Sequence, residues 1–297
     1  IYTVTIYPTD GFGNKATAQI AFSYDTTAPP VPAINAVISP TNIGFQVVTG
    51  IKTAETASVI VTSTTAAIGS ITYPTSTAWS VSISNLQQGA NTITAYAKDG
   101  AGNQSSGVSM TIVYDTAPPS APTVNSVASP TRNSSVTLSG TKETGTYLYV
   151  NGVKAASLYQ ETAWSHTVTL SEGNNALGIY TKDEAGNQSQ STSINVVKDT
   201  TPPSISSSTP PANAYTNNVG TIDIVLADTY SSVDLQASLI GAVVKDSSGT
   251  GIAGSWSVSG NHLIFTPSAP LAGSVYTVIR MPDAAYITVL YSSPVAS

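Results

Sequence analysis

Apolar and polar side chains alternate along most of this sequence, and such a period-two pattern predicts β-strands with one buried face. In the stretch AWSVSIS, Trp79, Val81 and Ile83 alternate with serines. The stretch GVSMTIVYD repeats the pattern from Val108 to Tyr114. Turn sequences rich in glycine, asparagine and glutamine separate the alternating runs, at residues 87–91, 150–154 and 171–175. The pattern therefore predicts short strands joined by tight turns.

The strands belong to a repeating unit. Asp25, Asp115 and Asp199 each open a copy of one proline-rich sequence, and they lie 90 and 84 residues apart. Trp79 and Trp164 lie 85 residues apart in two further matching stretches. About seven short strands per unit is the count of an immunoglobulin-like (Ig-like) sandwich. We therefore predict an all-β protein of tandem Ig-like β-sandwich domains.

The repeat also predicts the domain boundaries. Residues 1–24 carry two strands, which we interpret as the last hairpin of an incomplete Ig-like domain. Residues 25–114 (the first repeat) and 115–198 (the second repeat) are close copies, and residues 199–297 (the third segment) form a divergent Ig-like domain. Because proline fixes φ and removes a donor, the proline-rich junctions should be stiff and the chain an elongated rod. The lone hairpin could be completed by the upstream half of its own domain or by a strand of another subunit.

The composition excludes several classes of protein. The 297 residues carry a net charge of −6, with 10 basic and 16 acidic side chains. A phosphate backbone would repel such a chain, which argues against nucleic acid as a partner. No apolar run reaches the length of about 18 residues that a membrane-spanning helix needs, so we expect no membrane insertion. Because cysteine is absent, disulfides and thiolate sites are excluded.

The sequence offers no recognisable catalytic set. His166 and His262 are the only histidines, and they lie in different predicted domains, so neither a Ser-His-Asp site nor a zinc site is expected. We interpret both as strand residues, and Trp79 and Trp164 as core residues. Paired carboxylates for glycoside hydrolysis need a cleft, which short sandwich loops do not provide. We therefore predict that the chain is not an enzyme.

One motif recurs before the last strand of the hairpin and of the first two repeats, and the matching place near Asp283 lacks its Gly-Asn. It reads KDGAGNQSS at residues 98–106 and KDEAGNQSQ at residues 182–190, with a looser copy, TDGFGNKAT, at residues 9–17. With the junction sequences SYDTTAPP and VYDTAPPS, it resembles the tandem bacterial Ig-like repeats of large secreted adhesins and cell-surface proteins. The third segment, with TPPANAYTNN and DTYSSVD, resembles a second variety of such domains.

The resemblance implies a function. It implies an extracellular structural or adhesive segment, a stalk or filament at the cell surface. Its expected partners are other copies of the same protein, neighbouring Ig-like repeats, and host or matrix glycans. In several such families the acidic residues at the domain junctions bind calcium, so the resemblance also suggests Ca²⁺ as a cofactor.

The placement of acidic residues agrees with a calcium site. In an Ig-like sandwich the junction, the loop after the second strand and the loop before the last strand share one pole. Carboxylates and amides at these places could supply the six to eight oxygen ligands of Ca²⁺. The candidate ligands are Asp25, Glu55, Asp99 and Asn103 in the first repeat, Asp115, Glu143, Asp183 and Asn187 in the second, and Asp199 and Asp228 in the third segment, with Asp10, Asp234 and Asp283 extending the pattern.

A metal-free alternative stays open for the same residues. Asp and Asn shape tight turns by bonding their own backbone, and Gly102 and Gly186 would supply the positive φ of such a turn. Nearby lysines could also neutralise the acidic residues, namely Lys52, Lys98, Lys142, Lys182 and Lys198.

A second function is also open. Similar Ig-like modules serve as carbohydrate-binding or spacer modules of large secreted polysaccharide-degrading enzymes. An aromatic patch on an exposed sheet face would favour that role, and Tyr147, Tyr149 and Tyr159 are the candidates.

Overall fold

The computed structural model describes residues 1–155, 159–211, 220–239, 242–246, 248–271, 275–279 and 287–291. Within these ranges the fold is all-β apart from a five-residue helix, as the alternating pattern predicts. The chain forms two compact units, one of Ile1–Thr123, Thr141–Trp164 and Ile179–Thr192, the other of Val124–Gly140, Ser165–Gly178 and Ser193–Ser297. None of the described helices is long and apolar enough to span a bilayer.

The N-terminal hairpin consists of β1 (Tyr2–Ile6) and β2 (Ala18–Phe22). Its strands pair antiparallel, with Tyr2 opposite Phe22 and Val4 opposite Ile20. The Tyr2 and Phe22 rings stack with their centroids 5.5 Å apart. Alternation places these four side chains on one face, and that face is about half exposed.

The first repeat is a two-sheet sandwich. Its strands are β3 (Ala33–Ile34), β4 (Gln46–Ile51), β5 (Ser58–Ser63), β6 (Ala67–Ile68), β7 (Thr72–Thr75), β8 (Ala78–Ser84), β9 (Gly89–Lys98) and β10 (Val108–Tyr114). One sheet has the order β3-β4-β8-β6, with β7 also on β8, and the other has the order β10-β9-β5. This is the strand order of an Ig-like sandwich.

The core of the first repeat lies between these sheets. Alternate residues of β4 and β8 point inward and meet inward residues of β5, β9 and β10. The buried set comprises Val48, Val59, Val61, Trp79, Val81, Ile83, Leu86, Ile93, Ala95 and Ile112. Trp79 lies so close to Gly50 that a Cβ there would meet its ring at 2.4 Å. The prediction that Trp79 and Trp164 are core residues is confirmed, since they are only 1% and 5% exposed.

The second repeat follows the same plan. Its strands are β11 (Ser135–Thr141), β12 (Tyr147–Val150), β13 (Val153–Lys154), β14 (Ala163–Thr169), β15 (Gly173–Lys182) and β16 (Thr192–Lys198). β11 pairs with β14, and the other sheet has the order β13-β12-β15-β16. Leu138, Ile179 and Val196 are fully buried.

The third segment is a divergent version of the sandwich. Its elements are β17 (Ser204–Thr209), β18 (Ile222–Ala227), α1 (Leu235–Leu239), β19 (Val243–Asp246), β20 (Gly254–Ser259), β21 (His262–Pro267), β22 (Val275–Ile279) and β23 (Ile287–Tyr291). The sheets have the orders β17-β18-β21-β20 and β19-β22-β23. Its core contains Ile222, Ile224, Leu226, Leu235, Val244, Leu263 and Phe265.

Both histidines lie on strands, as predicted. His166 is on β14, and His262 begins β21. The Nδ1 atom of His262 lies 2.9 Å from both carboxylate oxygens of Asp223 on β18, so the pair joins neighbouring strands of one sheet.

Candidate functional site

The recurring aspartate motif forms a closed turn between the two strands of the N-terminal hairpin and between the last two strands of the first and second repeats. We call residues 10–14, 99–103 and 183–187 the Asp-Asn loops. In the first repeat one carboxylate oxygen of Asp99 accepts the amide N–H groups of Ala101, Gly102 and Asn103, at 2.8–2.9 Å. The other oxygen accepts the side-chain amide of Asn103 at 2.9 Å. The carboxylate therefore shapes the loop from within.

Glycine and asparagine complete this turn. Gly102 has a φ of 99°, a left-handed conformation that side chains with a Cβ rarely adopt. Gly13 and Gly186 have φ values of 87° and 95° at the same place in the other two loops. The Asn14 and Asn187 amides each donate to their loop aspartate at 2.8 Å. The three loops thus share one hydrogen-bonded geometry.

These bonds favour the ionised carboxylate. The amide of Asn103 and the backbone N–H groups of the loop hold the pKa of Asp99 below its usual value. The amide of Asn14 and its neighbouring backbone N–H groups lower the pKa of Asp10 in the same way. The negative charge is thus satisfied by donors inside the loop.

The loop asparagine also reaches the domain junction. The Nδ2 atom of Asn103 donates to the carbonyl oxygen of Asp25 at 3.1 Å, and that of Asn187 donates to the carbonyl oxygen of Asp115 at 2.8 Å. One amide therefore bridges the loop carboxylate and the backbone that enters the domain. The motif fixes both the turn and the position of the junction.

The preceding repeat holds the same junction from the other side. Gln88, in the turn before β9, donates to the carboxylate of Asp115 at 2.8 Å. Its carbonyl oxygen accepts the amide N–H and the hydroxyl of Thr116, both at 3.1 Å. The amide N–H of Asp115 itself donates to the carbonyl of Thr41. The Asp-Thr pair of this junction is therefore bonded by both repeats.

We call these bonds of Gln88 to the junction a clamp. A similar clamp, formed by a charged residue, holds the next junction. Glu172, in the turn before β15, accepts the amide N–H and the hydroxyl of Thr200, both at 2.7 Å. It also forms an ion pair with Lys198 at 3.2 Å. Bonds from Thr200, together with the Lys198 ammonium, lower the pKa of Glu172 to about 2. Tyr230 of the third segment lies against Gly173 beside this clamp.

A cleft of about 270 Å³ adjoins this second clamp. Asp199, Asp228 and Asp234 line it together with Arg132 and several Ser, Thr and Pro residues. Asp199 is only 7% exposed and accepts the amide N–H of Thr201 at 3.0 Å. Burial raises the pKa of Asp228, but N–H bonds from Tyr230 and Ser231 outweigh it, and the pKa lies below its usual value.

In each of the first two repeats a lysine stands in the loop after the second strand and bonds nearby backbone. Lys52 and Lys142 are 9% and 5% exposed. The Lys52 ammonium donates to the carbonyls of Thr56 and Ser76 at 2.8 and 2.7 Å, and Lys142 donates to the carbonyl of Thr146 at 2.9 Å. Burial lowers the pKa of Lys142. Both cations therefore bond backbone carbonyls and not the neighbouring carboxylates.

The structure brings only part of the predicted calcium ligands together. Asp115, Asp183 and Asn187 meet at one pole, while Glu143 accepts the amide N–H of Ser120 at 2.8 Å nearby. Glu55 is exposed on its loop. Throughout the described ranges, no three acidic or histidine side chains converge as a metal-binding group. Asp283 lies outside the described residues.

These contacts favour the turn-forming alternative for the Asp-Asn loops. The carboxylates of Asp99 and Asp183 accept loop donors, and the asparagines present N–H groups, not oxygens, to the junction. Calcium binding stays a prediction, and Asp199 and Asp228, which line the acidic cleft, also accept N–H groups of their own turns.

The three predicted tyrosines come together on the outer face of the second repeat. The rings of Tyr147 and Tyr159 lie 4.8 Å apart, and Tyr149 stacks on Tyr180 at 5.2 Å with parallel planes. The Lys154 ammonium sits 3.3 Å from the Tyr147 ring centroid. Much of the aromatic surface is therefore used in contacts within the cluster.

Sequence reasoning missed Gln88 and Glu172. Both stand directly before a glycine of positive φ, Gly89 and Gly173, in matching turns 84 residues apart. The residue before this repeated turn glycine lies opposite the Asp-Thr pair of the following junction. That repeated position was the sequence signal that could have identified both residues.

We predict that the Glu172 clamp weakens in acid. Because its pKa in the folded chain is about 2, below the ordinary 4.5, its stabilising bonds are complete above pH 4.5 and are lost as the pH falls towards 2. The amide chemical shift of Thr200, followed by NMR, should move across this range. The variant Glu172→Gln, which copies the neutral Gln88 clamp, should keep the bond and flatten the titration. An unchanged titration in that variant would contradict the assignment.

Comparison with known proteins agrees with this geometry. Residues 199–287 match the family model described as a bacterial Ig-like domain, which confirms the predicted resemblance. No relative was found among curated proteins.

Several solved structures are similar to this chain at low identity. The fibronectin(III)-like modules of Clostridium thermocellum CbhA are 14% identical, with 56% of this chain and 94% of theirs covered and a TM-score of 0.39. An I-band fragment of titin is 13% identical, with 92% and 100% covered and a TM-score of 0.36. Invasin, a bacterial integrin-binding protein, is 16% identical, with 95% and 63% covered and a TM-score of 0.31. The sheet orders and the family match together identify an all-β chain of tandem Ig-like domains, of which residues 199–287 match the bacterial Ig-like family.

Proposed function

We propose that this chain is a non-catalytic structural segment of an extracellular bacterial surface protein, a stalk of Ig-like domains that presents an adhesive partner at a distance. The bacterial Ig-like match over residues 199–287 supports this class of protein. The two histidines, at residues 166 and 262, stand on strands of different sheets. The described site is built from junction contacts, which suits a mechanical role.

The observation that carries the proposal is the double clamp on the Asp115-Thr116 junction. Gln88 bonds it from the first repeat, and Asn187 bonds it from the second. A linker that only tethers two domains needs no such bonds, because a flexible chain connects them equally well. Hydrogen bonds from both sides instead select one position of the linker.

The clamp works together with the prolines that follow it. Pro118 and Pro119 follow the clamped pair after a single residue, Ala117, and proline limits the backbone to a narrow range of φ. Each hydrogen bond of this kind contributes about 0.5–1.5 kcal/mol. Several such bonds around one stiff linker would hold the angle between neighbouring domains against thermal bending.

We predict that removing the clamp broadens the angle between the first and second repeats. The double variant Gln88→Ala and Asn187→Ala removes both side chains while leaving the hydrophobic cores intact. Because the chain has no cysteine, single cysteines introduced into each repeat can carry spin labels for a double electron–electron resonance measurement. The distance distribution should be narrow in the parent chain and clearly wider in the double variant.

A neighbouring glutamine provides the control. Gln87 has the same chemistry as Gln88, but its side chain bonds the carbonyl of Asn85 within its own turn. Gln87→Ala should leave the distance distribution unchanged. A broad distribution in the parent chain, or equal widths in parent and double variant, would reject the clamp as the source of stiffness.

We also propose, as a more specific part of this function, that calcium binds at the domain junctions. Carboxylates of Asp199 and Asp228 line one cleft with hydroxyl groups, and hard oxygen donors of this type suit Ca²⁺. If calcium is bound, excess chelator should lower the melting temperature and broaden the angle between domains, and Asp228→Asn should reduce both effects. An identical melting curve with and without chelator would rule the metal out.

The tyrosine cluster supports a second candidate function, that of a carbohydrate-binding module. Tyr147, Tyr149 and Tyr180 gather on one sheet face with Lys154 and Lys182, and such aromatic faces can stack on sugar rings. Tyr149→Ala should abolish binding on a glycan array if this face is a sugar site. Tyr96→Ala, at the place of Tyr180 in the first repeat, is the control. If the parent chain binds no glycan, the carbohydrate-binding role is rejected and only the structural role remains.

A further inference from the structure

An apolar row runs along β4 and the segment just before it in the first repeat. Residues at alternate positions are exposed, while Val48 and Gly50 between them are buried. The exposed fractions are 58% for Ile43, 49% for Phe45, 49% for Val47 and 56% for Ile51. We call these four residues the apolar row. Four large apolar side chains at five alternate exposed positions, the other being Thr49, are costly to leave in water.

The second repeat shows that the fold does not need this row. Counting from the junction aspartates, the equivalent residues are Asn133, Ser135, Thr137 and Thr141. The framework around them is kept, since Leu138 replaces Val48 as a fully buried residue. Where Val47 faces Ser82, the second repeat has a hydrogen bond of 2.9 Å between Thr137 and Thr167. Polar residues therefore serve the sandwich equally well at these positions.

The residues opposite the apolar row on β8 are small and uncharged. On the neighbouring strand β8, Ser82 lies opposite Val47 and Ala78 lies opposite Ile51. The five strands of this sheet, β3, β4, β6, β7 and β8, contain no charged residue. The row thus faces short side chains of β8, in a sheet whose strands carry no charged residue.

We propose that the apolar row is a contact surface for a second copy of this chain, packed sheet face against sheet face. The net charge of −6 makes copies repel one another over most of their surface. On this uncharged sheet two copies can meet without desolvating a charged group, which the centre of an interface avoids. A partner with a charged face would instead lose its hydration without compensation.

The row is also self-complementary. A two-fold axis close to the middle of β4 would bring Phe45 of one copy opposite Ile51 of the other, and the reverse. Paired sheets pack about 10 Å apart, and the small residues of β8 leave room for the large side chains of the facing row. The same four residues therefore form both halves of the contact.

The size of the row predicts a weak contact. It exposes on the order of 400 Å² of apolar surface, within the range of the largest patches on ordinary monomers. Two copies would bury roughly 800 Å², less than the about 1,200 Å² or more of a stable complex. Association should therefore depend on concentration, and become strong only where many chains stand side by side.

Sedimentation equilibrium of the full chain tests the proposal. The parent chain should self-associate with rising concentration. The variant Ile43→Asn, Phe45→Ser, Val47→Thr and Ile51→Thr takes every new residue from the second repeat, so the sandwich should fold. Its dimer dissociation constant should rise at least tenfold. A parent chain that stays monomeric at its highest soluble concentration, or a folded variant that associates equally, would overturn the proposal.

A pair of cysteine variants tests the face-to-face contact even if the fourfold variant of the apolar row fails to fold. Thr49→Cys places one thiol at the centre of the apolar row, and Ser139→Cys places one at the equivalent position of the second repeat. Both substitutions remove the same hydrogen bond, from Asn35 and from Asn125. Mild oxidation should cross-link copies of Thr49→Cys much faster than copies of Ser139→Cys. Equal rates would reject the face-to-face contact, whatever the outcome of the clamp experiments.

Discussion

The junctions of this chain depend on one side-chain amide, the Nδ2 group of Asn103 and Asn187. The group has two hydrogens, and one bonds the loop aspartate while the other bonds the backbone carbonyl at the junction. An aspartate at either place would have no donor for either bond. The turn and the entry of the chain into the domain are therefore coupled through a single planar group, so neither can shift without straining the other.

The two clamps, formed by Gln88 and Glu172, both hold an Asp-Thr pair at a junction, but they use different chemistry. Gln88 is neutral and both donates and accepts, so it bonds the carboxylate of Asp115 and the N–H of Thr116 together. Glu172 only accepts, and its bonds go to Thr200 and Lys198. Bonds to a charged group are about twice as strong as neutral ones, but they depend on ionisation. The aspartate that the glutamate cannot bond, Asp199, is instead buried beside the acidic cleft.

The sequence was sufficient to predict the sheets, because the physical rule is local. A strand with one buried face must alternate, and Trp79 and Trp164 marked the same inward position in both repeats. The short helix from Leu235 to Leu239 escaped this rule, since one turn is too short to establish a helical period. Within it the amide and the hydroxyl of Ser238 both donate to the carbonyl of Asp234.

The site was less predictable because its partners are distant in sequence. Gln88 bonds residues 27 and 28 positions later, and no local pattern records that pairing. Proximity in sequence was misleading for Lys142, which stands beside Glu143 yet turns inward to the carbonyl of Thr146. A carboxylate count at one pole could not reveal which oxygens were already used by loop amides.

The inward lysines have a consequence for resistance to proteolysis. Trypsin-like proteases cut after a basic residue whose cationic tip must enter a deep acidic pocket, and this chain offers only 10 basic residues in 297. At Lys52 and Lys142 that tip is enclosed by carbonyls of its own loop. The loops after the second strands would otherwise be accessible cleavage sites. Their lysine ammonium groups stay enclosed until the domain itself unfolds locally.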